Sequence, residues 1–222
     1  VFRGGFAFEA AEAVLATQAA PWALDLLDSL LEKSLLRSGE DPERPDSPRL
    51  SMLESVRAWA LEKLGERADA ADFEARHRAF FLDRGRAFRE AVDGPDGAEA
   101  TRALAQDADN LEAILEPGRA SPEEAAAIAL ALHELLRVRL PLARHARVLD
   151  RALERGGELP PSLRLELLVA RARARRQGGD RAGARADLQD AETAGEGLGD
   201  AAEGELLLTR ALIEEAEGDL ER

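Results

Sequence analysis

The sequence predicts a mostly α-helical protein, with a small β-ribbon near the N-terminus and an array of antiparallel helix pairs after it. Three observations carry that expectation. Ala (44) and Leu (36) dominate the 222 residues while aromatic residues make 4%, a composition that suits helices and excludes an all-β protein. Gly and Pro breakers punctuate the chain from Gly94 onward, leaving helical segments of about 15 residues with short links, the pattern of paired antiparallel helices. A motif also recurs in the C-terminal third at an offset of 39 residues.

In chain order, Phe8–Ala20 reads as a helix with small apolar residues on one face. Trp22–Leu36 is a second, with Leu24, Leu27, Leu30 and Leu31 at helical spacing, and Pro21 suits its N-terminus. Ser38–Pro48 carries Gly39, Pro42, Pro45 and Pro48 among Ser, Asp and Glu and reads as a loop. The apolar pieces beside it, Ser34–Arg37 and Arg49–Leu53, form the two short strands of the ribbon. Glu54–Glu66 returns to helix with Val56, Ala60, Leu61 and Leu64 inward. Helix, helix, ribbon, helix is the order of a winged-helix domain with an incomplete first helix, which assigns residues 1–66. The rest, 67–222, is helical: about 70–91, 97–116, 121–138, 142–155, 161–177, 181–197 and 201–217. Breakers include Gly94-Pro95-Asp96-Gly97, Pro117-Gly118, Pro141, Gly156-Gly157, Pro160-Pro161 and Gly178-Gly179.

Charge and composition exclude several function classes. The formal net charge is −14, so a polyanion is repelled overall. There is no Cys, which excludes disulfides and thiolate metal sites. No apolar run approaches a membrane span of about 18–20 residues, and Val1–Phe6 lacks the basic region and apolar core of a signal peptide. A cytoplasmic protein with no membrane partner is expected.

The repeat is specific in its residues. Glu166-Leu167-Leu168-Val169-Ala170-Arg171-Ala172 matches Glu205-Leu206-Leu207-Leu208-Thr209-Arg210-Ala211, and Gly179-Asp180 matches Gly218-Asp219. One offset back, Leu149 and Ala152 fall beneath Leu188 and Ala191. A fixed period of this kind marks a helical-hairpin solenoid. Residues 162–197 resemble a tetratricopeptide (TPR) repeat. Ala172, Gly179-Asp180, Ala184 and Ala191 sit where that motif needs small residues and a turn, with Leu168 and Leu188 as larger packing residues. Residues 123–155 fit less well, because His133 and His145 fall where small residues are expected.

The N-terminal third carries a second resemblance. Val1-Phe2-Arg3-Gly4-Gly5-Phe6, Glu9–Val14, Leu26–Leu36 and Met52–Ala60 are similar to the winged-helix domain of bacterial STAND-type (NB-ARC) signalling ATPases and transcriptional regulators. Arg76-His77 with Phe80-Phe81, and Asp109–Leu115, resemble the stretches that open the helical region of these regulators. The resemblance implies that an ATPase domain precedes the winged helix in the longer chain and is a partner of it. No Gly-x-x-x-x-Gly-Lys-Ser/Thr run occurs in this sequence, so no nucleotide cofactor is expected on this chain. In these proteins the winged helix packs on the nucleotide-binding domain instead of on DNA.

Each chemical constellation has a plain structural counterpart. Trp22–Leu36, the segment placed as a recognition helix, carries Asp25, Asp28 and Glu32 against Lys33, and the wing loop carries Glu40, Asp41, Glu43 and Asp46 against Arg44 and Arg49. Specific DNA binding uses about 6–10 basic phosphate contacts, so no direct nucleic-acid partner is expected. His133-Glu134-Leu135-Leu136-Arg137 lacks the second His of a zinc-protease pattern, so no metal is expected, and His133 and His145 read as packing residues between paired helices. Asp25 and Asp28 share one helical face, as solvated surface acids do. Phe73, Phe80, Phe81 and Phe88 recur along one helix and read as core tying the two domains. No catalytic set is visible, so the chain is not expected to be an enzyme.

One local charge feature points to binding. Arg164–Arg185 holds seven Arg against Glu166 and Asp180, while Ala186–Arg222 holds two Arg against twelve acids. On the TPR template, Glu166, Val169, Arg173, Arg176 and Gln177 line a concave groove, followed by Glu205, Leu208, Leu212 and Glu215. Two readings stand: a groove for an anionic or peptide partner, or Arg on one hairpin pairing with Glu on the next to hold the stack in register. The function expected is a sensor or regulatory segment of a STAND-type regulator, with a protein or peptide in the groove. A TPR scaffold without a nucleotide switch is the alternative.

Overall fold

The computed structural model describes residues 1–16, 22–41, 44–138, 142–155 and 159–218. Residues 17–20 of the first expected helix, and Pro21, Pro42, Glu43, Pro141, Gly156-Gly157 and Asp219, used above as breakers, wing or repeat residues, lie outside them. The described residues form ten helices and one antiparallel two-stranded sheet: α1 (Phe8–Leu15), α2 (Ala23–Glu32), β1 (Arg37–Asp41), β2 (Arg44–Ser51), α3 (Glu54–Gly65), α4 (Ala70–Ala91), α5 (Gly97–Ile114), α6 (Pro122–Val138), α7 (Leu142–Leu153), α8 (Pro161–Gln177), α9 (Arg181–Gly195) and α10 (Asp200–Gly218). The chain divides into two compact units, Val1–Ile114 and Leu115–Arg222.

In the first unit the ribbon is longer than the sequence suggests. Residues 38–48 read as loop, yet β1 and β2 pair through them, with Arg37 opposite Ser51, Ser38 opposite Leu50, Gly39 opposite Arg49 and an irregularity between Gly39 and Asp41. The buried anchors Leu36 and Leu50 fix the pairing and override the poor strand preference of Pro and Asp. Phe6 joins the other edge of β2: its N–H donates to the Leu50 carbonyl at 2.8 Å, and the Leu50 N–H donates back at 2.8 Å.

The boundary expected at 66/67 falls inside this unit, because α4 packs on the N-terminal segment. Phe2 stacks on Phe6 at 4.1 Å between ring centroids, and His77 lies 5.3 Å from Phe2 and 4.7 Å from Phe81. Phe81 and Phe88 are buried, whereas Phe73 and Phe80 are half-buried. α3 buries none of its residues completely: Val56, Ala60, Leu61 and Leu64 are half-buried and Trp59 is 58% exposed. On α2, Leu27 is buried while Leu24 is 53% exposed, and Trp22, just before the helix, is 84% exposed. α5 starts at Gly97, where a Cβ would lie 2.1 Å from the Val92 carbonyl oxygen; only glycine lets the turn close this tightly.

The second unit is built of helix pairs. α6 opens with a capping box. The Ser121 Oγ accepts from the Glu124 N–H at 3.2 Å, and the Glu124 carboxylate accepts from the Ser121 N–H at 2.8 Å. Gly179-Asp180 both ends α8 and starts α9. Gly179 adopts φ +84°; the Asp180 N–H donates to the Arg175 carbonyl at 2.9 Å and the Gly179 N–H to that of Arg176 at 3.0 Å. That is a Schellman stop. The Asp180 carboxylate then accepts from the Gly183 N–H at 2.9 Å as the cap of α9.

Small residues allow close approach across this hairpin. Ala172, Ala184 and Ala191 are fully buried. Leu165, Leu168 and Val169 of α8 pack with Ala191 of α9 and Ala202 of α10, and Ala172 packs with Ala184, Leu188 and Ile213. No described helix is long and apolar enough to cross a membrane.

Candidate functional site

The five residues predicted to line a groove all lie on α8, but they do not share one environment. Val169 is 2% exposed and packs in the α8–α10 core. It is not a groove residue, because Ala202 of α10 covers the face that the repeat template leaves open. Glu166, Arg173 and Arg176 are half-buried and Gln177 is exposed. Arg173 Nη2 reaches Glu205 Oε1 at 2.8 Å and donates to Thr209 Oγ1 at 3.0 Å, so this arginine ties α8 to α10 as the register reading requires. Arg176 is differently placed: its buried Nε has no hydrogen-bond partner.

The neighbouring arginines form an internal brace. Asp187 on α9 is 1% exposed. It accepts from Arg171 Nε at 3.0 and 3.1 Å, from Arg171 Nη2 at 2.6 Å and from Arg175 Nη1 at 2.9 Å. Asp150 on α7 takes the other side of both guanidiniums, at 3.1 Å from Arg171 and 3.3 Å from Arg175. Three helices are therefore clamped by two cations and two carboxylates. Burial pushes the Asp187 carboxyl above its ordinary value, with Arg171 and Arg175 pulling against it. Burial also works against the Arg171 charge, yet Asp187 and then Asp150 hold its guanidinium above the ordinary value. Three of the seven arginines of this segment, Arg171, Arg173 and Arg175, are thus paired inside the unit.

His133 and His145 meet between α6 and α7. His145 Nε2 lies 2.6 Å from His133 Nδ1, so one ring donates and the other accepts, and both are buried. Burial lowers the pKa of His145. His145 Nδ1 has no hydrogen-bond partner. Among the described residues no cluster of three potential metal ligands occurs. A cavity of about 610 Å³ opens beside Leu115, Pro117, Ala120, Pro122, Arg151 and Arg155. The Arg155 guanidinium forms its wall by donating to the Ala120 carbonyl at 3.1 Å and to the Glu116 carbonyl.

Sequence reasoning missed a polar latch in the first unit. Asp107 and Asn110 of α5 are 2% and 0% exposed. Asp107 takes Arg49 at 2.8 Å and Arg84 at 2.7 Å, and Arg49 also donates to the carbonyls of Gly5 and Gln106, at 2.6 and 2.8 Å. Asn110 accepts from the Arg3 N–H at 2.8 Å and donates to the Gly5 carbonyl at 2.9 Å. Gly4, at φ +72°, passes so close that a Cβ there would lie 2.9 Å from Asp109 Oδ2. The signal was present: Asp107 sits on the apolar stripe Leu104–Leu111–Ile114, where a surface acid does not belong.

Comparison with known proteins locates half of the chain. Over 117 residues, 50% of this chain, it is 36% identical to a Mycobacterium bovis protein described as a "Putative HTH-type transcriptional regulator". Proteins of the same description from two Mycobacterium tuberculosis strains match at the same 36% over 117 residues. The match spans 12% of the length of each relative. No family model matches the chain, and no solved structure matches it.

Proposed function

We propose that this chain is a sensor and relay segment of a STAND-type transcriptional regulator. The observation that carries the proposal is the 36% identity, over half the chain, to mycobacterial proteins described as HTH-type regulators. The order of elements supports it: α1, α2, the ribbon and α3 follow one another as in a winged helix, and α6 to α10 follow as TPR-like hairpins. On this reading the hairpins bind a protein partner in the cytoplasm. The winged helix passes that state to an ATPase domain elsewhere in the longer protein, and the segment itself is not catalytic. The test is to join this chain to the ATPase domain of the same protein and compare ATP turnover with and without the partner. Partner-dependent turnover is expected. Turnover unaffected by this segment would favour a TPR scaffold without a nucleotide switch.

Direct DNA contact is the second reading, motivated by the relatives' description. Asp25, Asp28 and Glu32 are all exposed on or beside α2, which argues against it. Titration of a labelled duplex at physiological salt should show binding no tighter than about 10⁻⁴ M, the weak end of non-specific association. Tighter, salt-sensitive binding would establish the DNA reading.

A further inference from the structure

A pair of arginines converges on a buried acid in each unit, but the two pairs are not equally matched. In the second unit Asp187 and Asp150 take two sides of Arg171 and Arg175. In the first unit Arg49 of β2 and Arg84 of α4 share one carboxylate, that of Asp107 on α5. Its Oδ1 meets Arg49 Nη2 at 2.8 Å and its Oδ2 meets Arg84 Nε at 2.7 Å. Every hydrogen bond of the Arg49 side chain runs through Nη2, to Asp107 and to the carbonyls of Gly5 and Gln106. Its Nη1 and Nε, and both Nη groups of Arg84, donate to nothing among the described residues. Asp107, 2% exposed, thus fixes two guanidiniums beside each other and balances the charge of one.

Both arginines line a cavity of about 250 Å³, whose other walls include Ala7, Ala100 and Ala103 and the exposed Glu9 and Glu99. Glu99 is held by Arg102 at 3.0 Å, whereas Glu9 makes no hydrogen bond or ion pair with a described residue. The cavity lies below the range of about 300–1,000 Å³ that drug-sized ligands occupy. We propose that it binds a free α-amino acid: Arg49 and Arg84 take the carboxylate, Glu9 takes the ammonium group, and the alanines face the side chain. Guanidinium forks match a carboxylate, and a second one here completes the alternation of acid and base that Asp150 completes in the second unit. Glu9 is the reason for a zwitterion over a plain anion, because its charge repels an anion and pairs with an ammonium group. Arg49 also holds the Gly5 carbonyl, so an occupied site braces the ribbon and the N-terminal segment against α4 and α5. The site belongs to the first unit and does not rest on partner capture by the hairpins.

The probes are the standard L-amino acids, titrated one at a time into the whole 222-residue chain in a calorimeter. At least one is expected to bind saturably. Its deaminated acid and its decarboxylated amine should each bind about tenfold or more weakly. The amino acid itself should weaken as much against Arg84→Gln and against Glu9→Gln. Both replaced side chains reach solvent and Asp107 keeps Arg49, so these variants stay folded, checked by unchanged circular dichroism. Arg176→Gln, in the second unit, should leave binding unchanged. Absence of saturable binding by every amino acid overturns the proposal. Equal binding of the deaminated acid makes the cavity a plain anion site and also overturns it, as does binding indifferent to Arg84→Gln and Glu9→Gln. Loss of binding in Arg176→Gln moves the ligand to the second unit, against the proposal.

Discussion

Asp187→Ala removes the carboxylate on which Arg171 and Arg175 converge and leaves both guanidiniums half-covered. Breaking a buried ion pair by deleting one partner costs about 3–5 kcal/mol. Here the side chains of Arg171, Arg175 and Asp150 are 14%, 23% and 28% exposed, and Asp150 remains as an acceptor for both cations. Partial hydration and that second acceptor place the loss near ~3 kcal/mol, at the lower end of the range. Urea unfolding followed by far-UV circular dichroism reads it. With a slope of about 1–3 kcal/mol/M, the midpoint of the second unit falls by roughly 1–3 M. Asp187→Leu combined with Arg171→Met should recover most of the loss, because an apolar pair of similar size replaces a costly buried charge pair. A loss under about 1 kcal/mol, or a double variant no more stable than Asp187→Ala, would refute the brace.

Three further outcomes follow from named contacts. Burial lowers the pKa of His145 below its ordinary 6.5, so the folded chain keeps it neutral where the unfolded chain protonates. Stability should therefore be at its plateau above pH 6.5 and fall as the pH drops below that value, with His145→Phe removing the slope in unfolding midpoints. Asn110→Ala should cost about 1–3 kcal/mol and raise hydrogen exchange at the Arg3 amide, which loses its acceptor, while the Phe6 amide, bonded to Leu50, exchanges more slowly. Gly97→Ala should destabilise the first unit by about 1–3 kcal/mol, in contrast to the usual small gain for Gly→Ala in a helix, because the added carbon meets the Val92 carbonyl; calorimetry measures it.

The helix boundaries were legible because their punctuation is chemical. Gly and Pro stops place α4 at 70–91 and α8 at 161–177, and Gly179-Asp180 announces both a stop and a cap. The ribbon was only partly legible, since Pro45, Asp46 and Pro48 look like loop while the strand is fixed by buried neighbours distant in sequence. The candidate site was harder to read. The repeat pattern alone does not say which of two apolar faces a neighbour covers, so the template puts Val169 in a groove although it belongs to the core. The arginine excess was visible, but its partners Asp150 and Asp187 lie 21 and 16 residues from Arg171, beyond any local pattern. Asn110 holds a segment more than a hundred residues earlier, as the Arg3–Asn110 bond shows with its separation of 107, and Asp107 reaches Arg49 at a separation of 58.

Both indoles of the chain, Trp22 and Trp59, belong to the N-terminal half, and tyrosine is absent altogether. The hairpins from α6 to α10 therefore have no strong ultraviolet emitter of their own. Intrinsic fluorescence would follow events around α2 and α3, where those indoles stand 84% and 58% in water, and stay silent through a titration confined to α10. A dye or an engineered tryptophan in the C-terminal half is a prerequisite for watching that half by light, and a conserved emission spectrum is no sign that nothing has bound there.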